Sequence, residues 1–273
     1  MPGAQDSRGG DFLERVVQAR LAAVGGMVGS LMDEVLSGFA RETADFKGAL
    51  TASPNVAVIA EMKKASPSAG PLAADPDVAG RVRAYESGGA AAVSVLTEPQ
   101  YFAGDFDDLR SARDATRLPL LCKDFVVHHN QILLARARGA DCVLLIVSVL
   151  GERTAAFVSA AASCGLQALV EVHDEAELEV AHAAGSPLLA VNSRDLRTLE
   201  VDRERALELV RQAAAEGYCV VAASGVTARS DVEEASDAGA RAVLVGEALM
   251  RAEDPEEAVR SLTGVRAKAA VFA

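Results

Sequence analysis

The chain has 273 residues, of which 50% are hydrophobic and 24% are charged, a composition that is ordinary for a packed globular protein. Its 39 acidic and 27 basic residues give a formal net charge of −12, which repels a phosphate backbone and argues against nucleic acid as a partner. No stretch reaches the ~18 uninterrupted apolar residues of a membrane span, and the polar start has no apolar signal region. The sequence therefore predicts an untargeted cytoplasmic protein with no membrane partner.

Residues that commonly bind metals do not cluster in the sequence. The cysteines are widely spaced, so we expect neither a zinc site nor a disulfide framework, and a reducing cytoplasm fits best. They are Cys122, Cys142, Cys164 and Cys219. Among the histidines, His173 is interpreted as the start of a loop without a role. The others are interpreted as surface residues: His128, His129 and His182.

Apolar residues recur at helical spacing over 12–24 and again over 31–39, which predicts two helices near the start of the chain. Gly25 and Gly26 are expected to separate them. Residues 1–50 are interpreted as a helical extension packed on a barrel formed by residues 51–273, the whole making one domain.

From residue 56 onward the pattern changes to short apolar runs, each followed by a longer helical stretch, which is typical of strands and helices around a parallel sheet. Eight runs recur at intervals that accommodate a strand, a crossover helix and two loops. They are Val56–Ala60, Ala91–Leu96, Leu118–Cys122, Cys142–Val147, Ala168–Val172, Leu188–Val191, Cys219–Ala223 and Ala242–Val245. The predicted fold class is α/β, a (β/α)8 TIM barrel with an N-terminal helical extension.

Glycines near the runs support this pattern, because glycine commonly ends a helix before the chain enters a strand. They are Gly89, Gly139, Gly165, Gly185, Gly217 and Gly239. A doubly wound open sheet also alternates strands and helices. No GxGxxG turn follows the first run, however, and eight units with a last helix near Pro255–Leu262 favour a closed barrel.

In a parallel barrel the active site lies at the carboxyl ends of the strands, so polar residues that follow the runs are candidates. These residues are Glu61, Lys63, Lys123, Glu171, Asn192 and Arg194. Glu61 and Lys63 are two apart and share one face of an extended strand, where their opposite charges attract. Lys123 and Glu171 each follow an apolar run, so both side chains are expected to be partly desolvated and able to act as acid or base.

Each of these residues also has an ordinary explanation. Glu61 and Lys63 could form a solvated surface salt bridge. Lys123 could extend its ammonium group into water. Charged residues at several strand ends together favour a shared site.

Glycine follows the last two runs, at Gly225 and Gly246. In barrels these two loops often bind phosphate through backbone N–H groups, and the helical stretch that begins at Glu247 could add its amino end. Ser66 and Ser68, in the loop-forming stretch after the first run, supply hydroxyl groups that could reach an anion. Each glycine alone could equally serve a tight turn. The pair on adjacent strands favours an anion site.

Together these segments resemble the indole-3-glycerol-phosphate synthase family. The resemblance runs from about Phe12 to Leu262, with the motifs in the family's order. They are Ile59–Ser68, Gly88–Ala90, Ser94–Glu98, Tyr101–Phe102, Cys122–Phe125, Val143–Ile146, Val170–Val172, Val191–Leu196 and the two glycine loops. The resemblance implies a (β/α)8 barrel that closes 1-(2-carboxyphenylamino)-1-deoxyribulose 5-phosphate to an indole, with loss of carbon dioxide and water. It implies no metal or organic cofactor.

The resemblance also implies a role for each candidate residue. Lys123 would protonate the keto oxygen of the substrate, and Lys63 with Glu61 would serve the acid–base steps of dehydration. Glu171 would be a further acid–base or electrostatic residue, and Asn192 completes the catalytic set.

Substrate-binding roles are implied as well. Asn192 and Arg194 would position hydroxyl and carboxylate groups. The implied phosphate site comprises Ser66, Ser224, Gly225 and Gly246, with Glu247 beside it. The implied aryl pocket comprises Phe102, Phe125, Leu144 and Leu196.

Two positions depart from the family pattern. The family usually has glutamate immediately before the serine-glycine of the seventh strand, where this chain has Ala223. The charge balance around Lys123 and Glu171 must therefore differ. Asp105 stands where the family more often has serine, with no clear consequence.

The departure at Ala223 leaves three interpretations open: a slower synthase, a synthase for a substituted aryl-amino sugar phosphate in specialised metabolism, or a phosphate-binding barrel without catalysis. The retained lysines favour a working enzyme. A sibling barrel, phosphoribosylanthranilate isomerase, would need a cysteine where this chain has Glu61 and Lys63. The expected partner is a small phosphorylated molecule, and the chain is expected to be a monomer or homodimer.

Overall fold

The computed structural model describes residues 11–24, 39–72 and 77–268. Within them eight parallel strands close into a barrel, in which each strand pairs with its neighbours in sequence and the last pairs with the first. The strands are β1 (Ala57–Met62), β2 (Ala92–Leu96), β3 (Leu120–Lys123), β4 (Cys142–Ile146), β5 (Gln167–Val172), β6 (Leu188–Asn192), β7 (Cys219–Ala223) and β8 (Ala242–Val245). The predicted (β/α)8 barrel is confirmed.

Helices connect the strands and surround the barrel. Several begin at an aspartate, such as Asp174 or Asp254, whose carboxylate accepts a hydrogen bond from a backbone N–H group of the first turn. The helices are α1 (Phe12–Val24), α2 (Phe46–Thr51), α3 (Val78–Ser87), α4 (Pro99–Phe102), α5 (Phe106–Ala115), α6 (His129–Ala137), α7 (Val147–Leu150), α8 (Thr154–Ser163), α9 (Glu175–Ala184), α10 (Arg203–Ala215), α11 (Arg229–Asp237), α12 (Glu247–Arg251) and α13 (Pro255–Leu262). No helix in this described part of the chain is long and apolar enough to cross a membrane.

The interior of the barrel places the candidate charges. Ile59 and Leu169 belong to one buried apolar cluster that fills the barrel. Since side chains two apart on a strand point the same way, Glu61 and Glu171 continue this inner face toward the carboxyl ends of β1 and β5. The alternation of side chains along each strand, which places apolar residues inside the barrel, therefore also points these charged residues inward at its carboxyl end.

The amino end of the barrel is closed by α2. Phe46 and Leu50 on this helix are fully buried in the cluster that fills the barrel. The backbone N–H of Lys47 donates to Oε1 of Gln167, the first residue of β5, at 2.8 Å.

Helix α1 lies over the opposite, carboxyl end. Its Phe12 packs edge-on against Tyr101, with ring centroids 5.1 Å apart. Its Arg20 forms an ion pair with Asp124, just after β3, at 2.5 Å. The predicted helix over 12–24 is confirmed. The predicted break at Gly25 and Gly26 lies outside the described residues, as does the predicted second helix except for its end at Phe39.

Strand bounds differ from the predicted runs by at most two residues. The third strand begins at Leu120 because Pro119 has no N–H group for the ladder, although its carbonyl still accepts from the N–H of Val93 at 3.0 Å. The first strand continues to Met62 because Glu61 and Met62 still pair with β2. The last helix has its predicted bounds, and all six predicted helix-end glycines have positive φ.

Candidate active site

A cavity opens at the carboxyl end of the barrel, beneath α1. Most of the residues predicted for the site line it. These are Lys63, Ser66, Phe102, Lys123, Phe125, Leu144, Glu171, Asn192, Arg194, Leu196, Ser224 and Glu247. Residues from all parts of the chain thus meet at the place where barrels carry their active sites.

Three predicted residues do not line the cavity. Glu61 lies behind its wall, 3% exposed, with Oε1 3.0 Å from Nζ of Lys63. The backbone of Gly246 passes so close that a Cβ atom there would lie 2.3 Å from Oε1 of Glu61, which only glycine avoids. Gly225 has φ +70°, and a Cβ atom there would meet the side chain of Arg203 at 3.1 Å. Gly246 therefore makes room for the Glu61–Lys63 ion pair, whereas Gly225 serves the turn after β7.

The two lysines of the site differ in their surroundings. The ammonium group of Lys63 is held by the buried carboxylate of Glu61. The ammonium group of Lys123 lines the cavity and has neither an ion pair nor a hydrogen bond to any described residue. Lys123 is therefore available to an incoming molecule, while Lys63 is already oriented.

Glu171 is 1% exposed and is oriented by its neighbour on β6. Nδ2 of Asn192 donates to Oε1 of Glu171 at 3.0 Å. Oδ1 of Asn192 accepts from Oγ of Ser224 at 2.7 Å and from the backbone N–H of Arg194 at 3.1 Å, which fixes the amide. Oε2 of Glu171 is buried with no hydrogen-bond partner among the described residues. A buried carboxylate oxygen left without a donor is costly and is typical of a functional site.

Ser224 reaches this network from a backbone conformation that is rare for its residue type. Its φ of +65° lies in the left-handed region, where a side chain costs of order 1 kcal/mol. The same conformation places its hydroxyl on Asn192 at the end of β7. The strain therefore coincides with the predicted phosphate loop.

His173 is the main residue that the sequence interpretation missed. Its side chain is 15% exposed, with Nδ1 3.0 Å from Oε2 of Glu177 and Nε2 3.6 Å from Oε1 of Glu171. Burial lowers the pKa of His173, but the hydrogen bond to Glu177 and the charges of Glu171, Glu177 and Asp195 outweigh it and raise the pKa above its ordinary value. The sequence feature that could have indicated a role for His173 is its position two residues after Glu171, the same spacing as between Glu61 and Lys63. The other three histidines are exposed, as predicted.

Asp124, next to Lys123, is a second residue that was not predicted for the site. It is 2% exposed and lines the cavity. Its carboxylate accepts from Arg20 of α1, from Oγ1 of Thr97 at 3.0 Å and from the backbone N–H of Phe125 at 2.8 Å. These bonds attach α1 to the end of β3 and hold the backbone beside Lys123.

The cavity has an apolar side and a polar side. Phe102 follows β2, Phe125 follows β3 and Leu144 lies on β4, so the apolar residues come from three adjacent strands. The ring centroids of Phe102 and Phe125 are 6.2 Å apart, and Phe12 packs against Phe125 at 6.5 Å. Ser68, whose hydroxyl was expected to reach an anion, also lines the cavity, and other lining residues that were not predicted are Pro67, Leu96, Ile146 and Leu199.

The polar side comes from the adjacent strands β7, β8 and β1. Ser224 follows β7, Glu247 follows β8 and Ser66 lies in the loop after β1. No side chain caps the short turn that begins after Gly246. In residues 11–24, 39–72 and 77–268, no group of three or more His, Cys, Asp or Glu side chains is arranged to hold a metal ion.

An apolar pocket, a polar rim and converging lysines and carboxylates at the carboxyl end define a (β/α)8 barrel equipped for acid–base chemistry on a small molecule. The family model described as indole-3-glycerol phosphate synthase matches residues 13–262. Indole-3-glycerol phosphate synthase 2 of Streptomyces coelicolor is 49% identical over 230 residues, which cover 84% of this chain and 88% of that protein. The Mycobacterium ulcerans indole-3-glycerol phosphate synthase is 44% identical over 253 residues, 92% of each chain. The chain belongs to the indole-3-glycerol phosphate synthase family.

Solved structures support the barrel fold. Thiamine phosphate pyrophosphorylase from Pyrococcus furiosus superposes with a TM-score of 0.59 at 20% identity, covering 80% of this chain and 96% of that one. An E103A mutant of the tryptophan synthase α-subunit from the same organism gives 0.58 at 17% identity, covering 76% and 97%. At these identities the likeness concerns the fold alone.

Proposed function

We propose that this chain is a working indole-3-glycerol phosphate synthase, a carboxy-lyase of tryptophan biosynthesis. It would close 1-(2-carboxyphenylamino)-1-deoxyribulose 5-phosphate to indole-3-glycerol phosphate, with loss of carbon dioxide and water. The observation that carries the proposal is that Lys123 and Glu171, each with a polar group that no described residue satisfies, line one cavity. A buried carboxylate oxygen such as Oε2 of Glu171 is rarely left unpaired unless a ligand completes it, and the partly buried Lys123 lines the same cavity.

Ring closure needs a proton at the keto oxygen while the aromatic carbon attacks the keto carbon. In this proposal the unpaired ammonium of Lys123 donates that proton and stabilises the developing negative charge. Loss of carbon dioxide from the attacking aromatic carbon then restores the aromatic ring. Lys123 is suited to this step because no carboxylate in the described chain already binds its ammonium group.

Dehydration then needs a proton for the leaving hydroxyl and a base for the proton lost from the ring. The Glu61–Lys63 pair, at 3.0 Å, supplies an oriented acid on one side of the cavity. Glu171, with Oε2 unpaired and Oε1 held by Asn192, supplies a carboxylate base on β5. Two differently held acid–base groups match a reaction that both donates and removes protons.

The two sides of the cavity give the substrate one orientation. The carboxyphenyl ring would pack against Phe102, Phe125, Leu144 and Leu196, and the phosphate would bind at Ser66, Ser224 and the backbone of the β7 and β8 loops. Arg194 would contact the substrate carboxylate, although its Nη1 already donates to the carbonyl of Leu199 at 2.9 Å. This arrangement would place the ribulose carbons between Lys63 and Lys123.

We further propose that the protein works in the cytoplasm as a monomer or homodimer, on a small phosphorylated molecule rather than nucleic acid. Its four cysteines are free thiols, which fits a reducing compartment. The net charge of −12 disfavours a polyanionic partner.

The test is to supply the purified chain with the carboxyphenylamino-deoxyribulose phosphate and, in parallel, with an analogue hydroxylated on the aryl ring. Indole fluorescence measures turnover, and calorimetry measures binding. Faster turnover of the unsubstituted compound supports the proposal. Preference for the analogue would replace it with a synthase of specialised metabolism. Binding without product from either compound would indicate a barrel that has lost catalysis.

Ala223 offers a second test of the same proposal. It is 4% exposed in the inner cluster of the barrel and pairs in register with Asn192. A glutamate there would add a carboxylate to the layer of Glu61 and Glu171. If Ala223→Glu strongly raises turnover of the unsubstituted compound, the chain is a slowed synthase. No gain, or a loss, would indicate a different aryl substrate.

A further inference from the structure

His173 lies between two carboxylates, of which Glu171 lines the cavity. Nδ1 faces Oε2 of Glu177 at 3.0 Å and Nε2 faces Oε1 of Glu171 at 3.6 Å. The same Oε2 of Glu177 accepts from the backbone N–H of His173 at 2.8 Å. Glu177 therefore fixes both the ring and the main chain of His173, two residues after Glu171.

This geometry favours the doubly protonated imidazolium. An ionised carboxylate only accepts hydrogen bonds, so Nδ1 must carry a proton toward Glu177. In a neutral ring Nε2 would then be unprotonated, and its lone pair would face the carboxylate of Glu171, which is repulsive. A proton on Nε2 makes this interaction attractive.

Three carboxylates act on His173. Glu171 faces it from the end of β5, Glu177 from α9, and Asp195 acts on it from the loop after β6. Nε2 is buried and has no hydrogen-bond partner in the described part of the chain, because the 3.6 Å to Oε1 of Glu171 exceeds hydrogen-bond length. Its effect on Glu171 is therefore one of charge.

We propose that His173, held by Glu177, is a positioning residue that supplies a fixed positive charge to Glu171 and keeps this carboxylate ionised for catalysis. The idea rests on the proposed function for the role of Glu171. The Glu171 side chain is only 1% exposed, so its negative charge is largely shielded from water and a nearby positive charge stabilises it. Asn192 would then orient Oε1 by a hydrogen bond, His173 would supply the charge, and Oε2 would stay free for the substrate.

The first test measures the charge interaction without using catalysis. In an NMR titration of the whole chain, the imidazole of His173 should titrate above the range of a free histidine. In Glu171→Gln its midpoint should fall by about one pH unit, because coupling between two sites is reciprocal. The exposed His182, whose Nδ1 lies 3.1 Å from Oη of Tyr218, is the internal control and should not move. An unchanged His173 midpoint in Glu171→Gln would overturn the proposal.

The second test uses the pH profile of turnover. His173→Gln should move the acid limb of kcat/KM about one unit to higher pH and lower kcat near pH 6, with KM changed less than about twofold. Glu177→Gln should shift the limb in the same direction by less, and the matched control His182→Gln should not shift it. A uniform loss of activity with an unmoved acid limb would mean that His173 is only structural and would overturn the proposal.

The two tests separate this inference from the proposed function. Absence of product from the wild-type chain would contradict the proposed function, and the titration of His173 in Glu171→Gln would still decide whether the charge interaction exists. Product formation with no coupling in the titration would contradict the inference alone.

Discussion

The two ends of the barrel each hold a buried carboxylate, and the two are satisfied very differently. At the amino end Asp141, 0% exposed, accepts at both oxygens: Arg41 at 2.7 Å and the N–H of Ala44 at 2.9 Å bind Oδ1, and Arg113 at 3.0 Å and the N–H of Leu120 at 2.9 Å bind Oδ2. At the carboxyl end the described residues offer Glu171 one donor on Oε1 and none on Oε2.

The difference separates stability from function. Each oxygen of Asp141 accepts two hydrogen bonds, so this carboxylate connects the segment before α2 to α5 and β3. Oε2 of Glu171 lacks a hydrogen-bond donor, which costs free energy until a substrate binds. Substitutions at the amino end should therefore change unfolding, and substitutions at the carboxyl end should change turnover.

Lys123→Met should give the largest effect. It removes the unpaired ammonium and keeps the length of the side chain, so turnover should fall about 10³- to 10⁴-fold, or about 4 to 5 kcal/mol of transition-state stabilisation. Thermal unfolding should not change, because no described residue pairs with Lys123. Lys47→Met, on α2 at the amino end, is the matched control and should keep its activity. Equal loss in both variants would remove the contrast between the two ends.

Asp141→Ala should give the opposite result. Removing one member of a buried ion pair costs about 3 to 5 kcal/mol, and the lower end applies because Arg41 keeps 30% of its side chain exposed to water. Urea denaturation should show this loss in the free energy of unfolding. The kcat of the folded fraction should be unchanged. A fall in kcat at low denaturant would show that the amino end also supports the site.

Most of the barrel could be predicted from the sequence because its signals are local. Each apolar run predicts a strand from its own residues, so all eight were found, and errors arose only at the ends. Pro119 shortens β3 through its missing N–H, and the inward-facing Glu61 belongs to β1 although it is charged. In the sequence the apolar run ends before the charged residue Glu61. In the structure Glu61 pairs with Ser94 and is part of the strand.

The site was harder to predict wherever it depends on contacts between distant segments. Phe12 reaches the cavity from α1. The buried carboxylate of Asp124 accepts a hydrogen bond from Arg20, which is 104 positions away in the chain. Spacing along the chain carries no signal for such contacts. His173 is different, since its spacing from Glu171 is visible in the sequence, whereas its raised pKa depends on Glu177 of α9 as well.

Gly246→Ala should give a smaller effect at the carboxyl end. The new Cβ atom would lie 2.3 Å from Oε1 of Glu61 and 3.2 Å from Nζ of Lys63, so the ion pair must shift. We expect kcat to fall about tenfold, equivalent to about 1.4 kcal/mol, with little change in thermal unfolding. Steady-state kinetics and a melting curve would check both. Loss of stability without loss of kcat would place Gly246 among the residues that only shape the fold.

Substitution of Asp105 should give the smallest effect on stability and activity. It tests whether a carboxylate contributes to catalysis because it lies at the carboxyl end or because of the hydrogen bonds that it makes. Asp105 is a carboxylate on the carboxyl side of the barrel, yet its Oδ1 accepts from the N–H of Asp107 at 2.7 Å and caps α5, while its own N–H donates to Asp108 at 3.1 Å. Asp105→Ala should cost about 1 kcal/mol of unfolding free energy, and Asp105→Ser, which also caps helices, should cost less than about 0.5 kcal/mol. Neither should alter kcat, measured beside urea denaturation. A fall in kcat would mean that position at the carboxyl end suffices for a functional role. An unchanged kcat would mean that a carboxylate at this end whose oxygens are used to cap a helix takes no part in the chemistry.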